Sequence, residues 1–207
     1  YVNLFIPSEV EWRERGVRVV QETRFPDQAT TTLTIHAPKA TAFTLRIRVP
    51  AWTLHGGGAR LNGKLLDGFA EPGSYFALTR TWKDGDRVEV TLPMGLHTHP
   101  MPDDPSLQAI MYGPLVLVGR MGTEGLTPEN LRAEPTMPRT VPEFKEKPAP
   151  APELIAQSDN PNDWIHPVPG RTLEFVTAGQ PSDITFVPFN RLFDERYGVY
   201  WKISPRG

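Results

Sequence analysis

Two histidines and a nearby aspartate carry the side chains best suited to metal binding. His97 and His99 are two residues apart, and Asp103 follows shortly after them. On a β-strand, residues at i and i+2 point to the same face, so the two imidazoles would lie side by side. Imidazole and carboxylate groups are ordinary zinc ligands. Because no second cluster supports such a site, the sequence favours two histidines on a strand that leaves its sheet. The three residues are kept as candidate ligands only.

The five tryptophans are the side chains best suited to stacking on sugar rings, as carbohydrate-binding modules do. The alternative is that they fill the core. Trp52 follows the apolar end of a strand and Trp82 precedes a turn, which are positions where a sandwich is closed, so we predict that both are structural. Trp164 lies in a proline-rich stretch that favours neither role, and it is the candidate carbohydrate-binding residue.

The sequence indicates no catalytic centre. Several carboxylates could take part in acid–base chemistry, but nothing in their spacing selects a pair. They are Glu9, Glu11, Glu22, Asp103, Asp104 and Glu195. No serine or threonine stands in a nucleophile-elbow signature. The chain has no cysteine, which excludes a thiolate nucleophile, a disulfide and a cysteine-ligated metal. We therefore predict no catalytic residue and no cofactor in this chain.

The amino-acid composition argues against some classes of binding partner. Among 207 residues there are 22 basic and 24 acidic side chains, and the basic ones form no stripe, so nucleic acid and anionic membranes are not predicted partners. No apolar run approaches the roughly 18 residues that a membrane helix needs. The sequence shows no signal peptide, and we expect a soluble protein whose compartment stays open between the cytoplasm and the periplasm or secretion.

The elements that must position these side chains are short β-strands. In Phe43–Val49 the apolar residues alternate with threonine and arginine, which predicts a strand with one buried face. The pair Asn62-Gly63 predicts a tight type I′ hairpin. The continuously apolar run Leu115–Val118 predicts a strand buried on both faces. Such strands, separated by turn signals about every 8–12 residues, predict an all-β, antiparallel, jelly-roll-like β-sandwich.

Proline density suggests three regions. We predict a β-sandwich over residues 1–120, a proline-rich linker or strap over 121–170, and C-terminal β-strands over 171–207 that form a second small β region. Within the strap, residues 136–152 should be the least regular because proline removes ladder donors. At the other end, the apolar run from Tyr1 to Ile6 contains only Asn3 as a polar residue, which predicts a segment that needs cover on both sides.

Several segments, in order, resemble one known family. They are Tyr1–Ser8, Gln21–Pro26, Leu45–Trp52, Leu61–Gly63, Thr79–Asp86, Met111–Leu117 and Asp194–Trp201. They resemble the C-terminal β-sandwich region of the bacterial β-L-arabinofuranosidase-like hydrolases, glycoside hydrolase family 127, also called domain of unknown function 1680. The resemblance runs from end to end of the chain and is weakest across about 121–170.

The resemblance implies that the family's chemistry lies in an (α/α)6 barrel upstream of the segment that resembles Tyr1–Ser8. That barrel carries a cysteine nucleophile beside a zinc ion bound by further cysteines and a glutamate. No position of this cysteine-free chain can take over those roles, so zinc is expected only in the barrel. The expected partners are the barrel, a second copy in a homodimer, and carbohydrate.

The sequence thus predicts a non-catalytic accessory β-sandwich region, with a structural or dimerisation role, of a hydrolase of arabinofuranoside-like sugars. One alternative is a carbohydrate-binding module that uses exposed aromatic side chains. A second alternative is an enzyme with two convergent carboxylates about 5–10 Å apart in a cleft of the sandwich itself.

Overall fold

Alternation of apolar and polar residues produces strands throughout the chain. The computed structural model describes residues 1–124, 126 and 151–205, and its regular elements there are short β-strands and three 3-10 turns, Arg13–Arg15, Pro161–Asp163 and Phe189–Arg191. The predicted all-β class is confirmed. None of the described residues belongs to a helix long and apolar enough to cross a membrane. Most of residues 136–152, the predicted least regular segment, lies outside the described residues.

The chain divides into two compact units, Tyr1–Gly95 and Leu96–Gly207. The sequence predicts the first boundary near residue 120, whereas the first unit ends at Gly95, three strands earlier. The physical reason is strand pairing: the strands at 107–112 and 115–120 form their ladders with strands from 185–188 and 197–205, and not with those of the first unit. The second β region is therefore larger than the predicted 171–207 segment.

The first unit is an antiparallel sandwich. Its strands are β1 (Ser8–Trp12), β2 (Val17–Thr23), β3 (Thr30–His36), β4 (Thr41–Val49), β5 (Gly58–Leu61), β6 (Lys64–Leu65), β7 (Ser74–Trp82) and β8 (Asp86–Thr91). Six of them form one sheet in the order β1-β2-β3-β8-β5-β6, and β4 pairs with β7. The inward residues of both sheets form one core, with Leu33, Ile47 and Trp82 fully buried. Each such side chain contributes about 1.5–3 kcal/mol through removal from water.

The apolar N-terminal segment is only partly covered. Val2 bridges to β4, donating its N–H to the Arg46 carbonyl at 2.8 Å and accepting from the Arg48 N–H at 2.9 Å. Phe5 is buried in the core, but Leu4 is 63% exposed and Ile6 is 54% exposed. The segment is therefore anchored along one edge and leaves apolar side chains in solvent.

A buried carboxylate joins the predicted hairpin to the next turn. Asn62 and Gly63 adopt positive φ angles of 50° and 82°, as the type I′ prediction requires. Asp86 accepts from the Asn62 amide at 2.8 Å and from the Lys83 N–H at 2.9 Å, with Arg80 at 3.6 Å. Burial raises the pKa of Asp86, but these hydrogen bonds and the Arg80 charge together hold it below its ordinary value.

The second unit is one large sheet. Its strands are β9 (Leu96–Pro100), β10 (Leu107–Tyr112), β11 (Leu115–Arg120), β12 (Leu154–Ala156), β13 (Ile165–Pro167), β14 (Phe175–Thr177), β15 (Thr185–Pro188), β16 (Tyr197–Gly198) and β17 (Tyr200–Pro205). The order is β12-β17-β10-β11-β15-β14-β13, with β16 beside β11 and β9 beside β10. All pairs are antiparallel except β12 with β17.

Strand β11 separates two apolar clusters, as its continuous apolar run predicts. Leu117 packs into a large cluster that holds Trp164 and Trp201, whereas its neighbour Val118 packs with Val187 and Leu192. Both Leu117 and Val118 are fully buried. Adjacent residues of a strand point to opposite faces, so β11 is covered on both sides. The smaller cluster is the floor of the site described next.

Candidate functional site

A cavity in the second unit has a volume of about 410 Å³. Five separate segments supply its walls: the end of β11, the loop between β13 and β14, the end of β15, the 3-10 turn after it, and the residues that follow. Apolar side chains Val187 and Leu192 from the smaller cluster line it, together with Pro188. The volume falls within the range of about 300–1,000 Å³ typical of small-molecule sites.

Backbone hydrogen bonds shape the loop from Gly170 to Glu174. The Arg171 N–H donates to the Val168 carbonyl at 3.1 Å, and the Val168 N–H donates to the Glu174 carbonyl at 2.8 Å. Leu173 adopts a φ of +60°, a conformation that costs energy for a residue with a branched side chain. The loop is thus held in a strained form that places Arg171 and Glu174 on the cavity wall.

Charged residues from several of these segments line the cavity. Arg120, Arg171 and Arg191 supply guanidinium groups, and Glu174 and Asp194 supply carboxylates. The Arg191 guanidinium donates to the Thr172 carbonyl at 3.3 Å, which ties the 3-10 turn to the loop. The wall therefore offers hydrogen-bond donors and acceptors together, and it can bind a ligand that both donates and accepts.

An ion pair fixes one of the arginines. The Arg120 guanidinium donates to the Glu195 carboxylate at 2.6 Å, and the Glu195 side chain is only 8% exposed. The backbone around it is closed by the β11–β16 ladder, in which Arg120 faces Tyr197 across the strands. Such a short, charge-assisted bond orients the guanidinium without consuming all of its donors.

Exposed aromatic side chains lie in the segment 189–197, which also supplies cavity residues. Phe189 and Tyr197 contact each other with ring centroids 5.4 Å apart, and they are 48% and 45% exposed. Phe193, at 80%, is more exposed still. Phe189 directly follows the cavity residue Pro188. The sequence analysis did not identify these residues; the signal that could have found them is the four-residue spacing of Phe189, Phe193 and Tyr197.

Trp164, the predicted carbohydrate-binding residue, lies elsewhere. It is 2% exposed and packs in the large cluster of the second unit with Leu96, Ile165 and Trp201. A ring with no free face cannot stack on a sugar from this position. Its burial follows from the 3-10 turn Pro161–Asp163, which Asn162 ties to Leu96 through hydrogen bonds at 2.9 and 3.1 Å.

The three candidate metal ligands do not form a cluster of metal-binding side chains. His97 and His99 lie on β9 at i and i+2, and Asp103 is exposed in the turn beyond the strand. No group of three or more histidine, aspartate or glutamate side chains in the described part of the chain is placed to hold a metal ion. Next to Asp103, the Ser106 hydroxyl and N–H donate hydrogen bonds to the Asp104 carboxylate and hold its pKa below its ordinary value. The Asp104 carboxylate is therefore used in the local turn.

Trp52 and Trp82, the two tryptophans predicted to be structural, both pack in the first unit. Trp82 is fully buried, and its indole N–H donates to the Phe43 carbonyl at 3.0 Å. Trp52 packs against the core and stacks on Phe25 with ring centroids 5.6 Å apart.

A smaller cavity of about 140 Å³ in the first unit carries less chemistry. It is lined by Thr53, His55 and Glu71, among others, and the last two are 3.9 Å apart. Because those two side chains are 92% and 82% exposed, solvent screens their interaction. Among the carboxylates considered for acid–base chemistry, Glu9 pairs with Arg18, and Glu195 pairs with Arg120.

Comparison with known families divides the chain where the structure does. Residues 1–94 match the model described as the middle domain of the GH127 β-L-arabinofuranosidases, and residues 97–203 match a domain of unknown function, DUF4986. No curated protein matches the chain.

Solved structures share the fold over almost the whole chain. A GH127 β-L-arabinofuranosidase from Geobacillus stearothermophilus T6 is 20% identical, with a TM-score of 0.64 over 97% of this chain. A GH127 β-arabinofuranosidase is 17% identical, with a TM-score of 0.61 over 99%. A protein described as a glycoside hydrolase is 18% identical, with a TM-score of 0.61 over 95%. This chain spans only about a third of the length of each, between 33% and 34%. The second unit therefore belongs to the DUF4986 family, and the first unit is similar to the middle domain of the GH127 β-L-arabinofuranosidases.

Proposed function

We propose that this chain is the non-catalytic accessory region of a GH127-type hydrolase that acts on arabinofuranoside-like sugars. The observation that carries the proposal is the match of the first unit to the GH127 middle domain, together with the complete absence of cysteine from the sequence. The family's zinc–thiolate chemistry needs cysteine ligands. The residues of this chain do not fit that group, and we place zinc in an (α/α)6 barrel of the whole protein.

The activity test uses the purified chain on aryl arabinofuranosides. We expect no turnover above the buffer rate, with or without added zinc. Turnover that survives chelation and repeated purification would contradict the proposal, because it would need a catalytic site on the β units themselves. Co-purification with the (α/α)6 barrel of a GH127 relative tests the structural role directly, and we expect the two to bind.

A homodimerisation role is the second part of the proposal. The exposed apolar side chains Leu4 and Ile6 support a contact surface in the N-terminal segment, since exposed contiguous apolar area favours association. Light scattering should show concentration-dependent association that the double variant Leu4→Asp, Ile6→Asp abolishes. Leu65→Asp is the matched control, because Leu65 is 64% exposed on the short strand β6. A clean monomer at all concentrations would refute this role.

Carbohydrate binding is a second candidate function. One observation favours it: the exposed pair Phe189 and Tyr197 lies beside a cavity whose wall carries both guanidinium and carboxylate groups. Aromatic faces and converging polar side chains are the usual means of binding a polar ring.

A further inference from the structure

We propose that the cavity in the second unit binds a neutral carbohydrate, with Arg171 and Glu174 on the sugar hydroxyls and Tyr197 against the ring face. This inference rests on the second candidate function above and assigns it a site, a ligand class and individual roles.

The balance of charge points to a neutral ligand. Arg120 and Glu195 neutralise each other at 2.6 Å. The wall also carries two further arginines, Arg171 and Arg191, and two carboxylate residues, Glu174 and Asp194. An anionic ligand would face two carboxylates, and a cation would face two guanidinium groups. A hydroxyl group both donates and accepts, so a polyol can satisfy both kinds of side chain at once.

Arg171 and Glu174 are the residues most available to a ligand. Arg171 is exposed, and no ion pair between described residues uses it. Glu174 is half-buried on the same five-residue loop. The strained φ of Leu173, between them, is retained by the hydrogen bonds of this loop. Two side chains on one preorganised loop lose little conformational freedom when a ligand binds.

The aromatic face lies on the correct side of the sheet. Arg120 and Tyr197 are directly opposite each other in the β11–β16 ladder, and opposite residues place their side chains on the same face. Arg120 lines the cavity, so this register places Tyr197 on the same face of the sheet as a cavity residue. The Phe189 and Tyr197 ring centroids are 5.4 Å apart. The C–H face of a sugar ring can pack on Tyr197 while its hydroxyls reach the loop.

The volume sets the size of the ligand. A cavity of about 410 Å³ is near the lower limit for small-molecule sites, which suits one or two sugar rings.

The test is titration calorimetry of the intact chain with arabino-oligosaccharides and xylo-oligosaccharides as neutral probes and galacturonate as the anionic one. We expect at least one neutral probe to bind. Arg171→Ala, Glu174→Gln and Tyr197→Ala should each weaken that binding by about tenfold, the loss expected for one good hydrogen bond or ring contact. Their thermal unfolding should match that of the parent chain.

Matched controls lie on the first unit. Arg48→Ala removes an exposed arginine from β4, and Tyr75→Ala removes a tyrosine that is 42% exposed, close to the 45% of Tyr197. Neither should change binding. If neutral sugars bind but the three cavity variants leave binding unchanged, the site assignment is overturned while carbohydrate binding stands. If galacturonate alone binds, the ligand class is overturned. If no probe binds, both this site and the second candidate function are refuted; the accessory role is tested separately by the turnover assay.

Discussion

The two units use their polar side chains in opposite ways. In the first, Asp86 is buried and is surrounded by donors of its own unit, the Asn62 amide and the Lys83 N–H. In the second, Arg171 and Glu174 stand on the wall of an open cavity with hydrogen-bonding capacity left over. Polar groups that satisfy one another inside a fold specify that fold, whereas convergent groups left at a cavity wall are available to a ligand.

The aromatic side chains show the same contrast. The rings of the first unit's core, such as Phe43 stacked on Trp82 at 5.4 Å, are used for packing. The second unit buries Trp164 and Trp201 in its large cluster, yet leaves Phe189 and Tyr197 in contact with each other at the surface. Removal of a buried ring should therefore lower the free energy of unfolding more than removal of an exposed ring of similar size.

The largest expected loss of stability comes from removing a buried ring. Trp82→Ala should destabilise the first unit by about 3–5 kcal/mol, because it opens a cavity and leaves the Phe43 carbonyl without its donor. Tyr197→Ala, its exposed counterpart in the second unit, should change stability by no more than about 0.5 kcal/mol. Hydrogen exchange, read separately over residues 1–95 and 96–205, measures both. Equal losses of stability in the two variants would contradict the difference that we expect between a buried and an exposed ring.

A close approach inside the second unit should give the next largest effect. A Cβ atom at Gly119 would lie 2.3 Å from Cζ2 of Trp201 and 2.8 Å from Cγ2 of Ile184. Gly119→Ala should therefore cost about 3 kcal/mol through overpacking. Gly58→Ala in the first unit is the control, since a Cβ there meets only the Leu65 side chain at 3.8 Å. Denaturant melts of the two variants should separate clearly, and a neutral Gly119→Ala would mean that Trp201 moves freely.

The smallest expected effects concern two carboxylates, Asp86 in the first unit and Glu195 in the second. Asp86→Asn should cost about 2 kcal/mol, the value of hydrogen bonds to a charged group. Because the pKa of folded Asp86 is below its ordinary value of 3.8, its contribution is present above that pH and is lost as pH falls through the lower folded value. The variant should lack this acid-sensitive part. Glu195→Gln, beside the 45% exposed Arg120, should cost less, about 1 kcal/mol. Thermal melts of both variants test this order. A larger loss of stability in Glu195→Gln than in Asp86→Asn would contradict it.

Local features of the fold were predictable from the sequence. The alternation of Phe43–Val49, the Asn62-Gly63 hairpin and the two-sided burial of the run at Leu115–Val118 each follow from a few neighbouring residues. Burial of Trp82 follows as well, since it ends a strand whose apolar face is evident. In each case the period of the strand or the φ angles of the turn depend only on local chemistry.

The site could not be predicted in the same way. Trp164 was the candidate from its place among prolines, but its burial depends on contacts with Leu96 and Trp201, which are distant in sequence. The cavity joins Arg120 to a loop about fifty residues later and to Asp194 beyond it, and no spacing rule connects them.

The β-strands and their buried faces follow from the sequence alone, because they depend on residue types and on a period of two. The boundary at Gly95, the order of the strands and the convergence of Arg120, Arg171 and Glu174 on one cavity emerge only from the folded chain. The physical reason is that strand pairing is non-local: each strand can satisfy its hydrogen bonds with many partners, and the choice is made by how all the apolar faces are buried together.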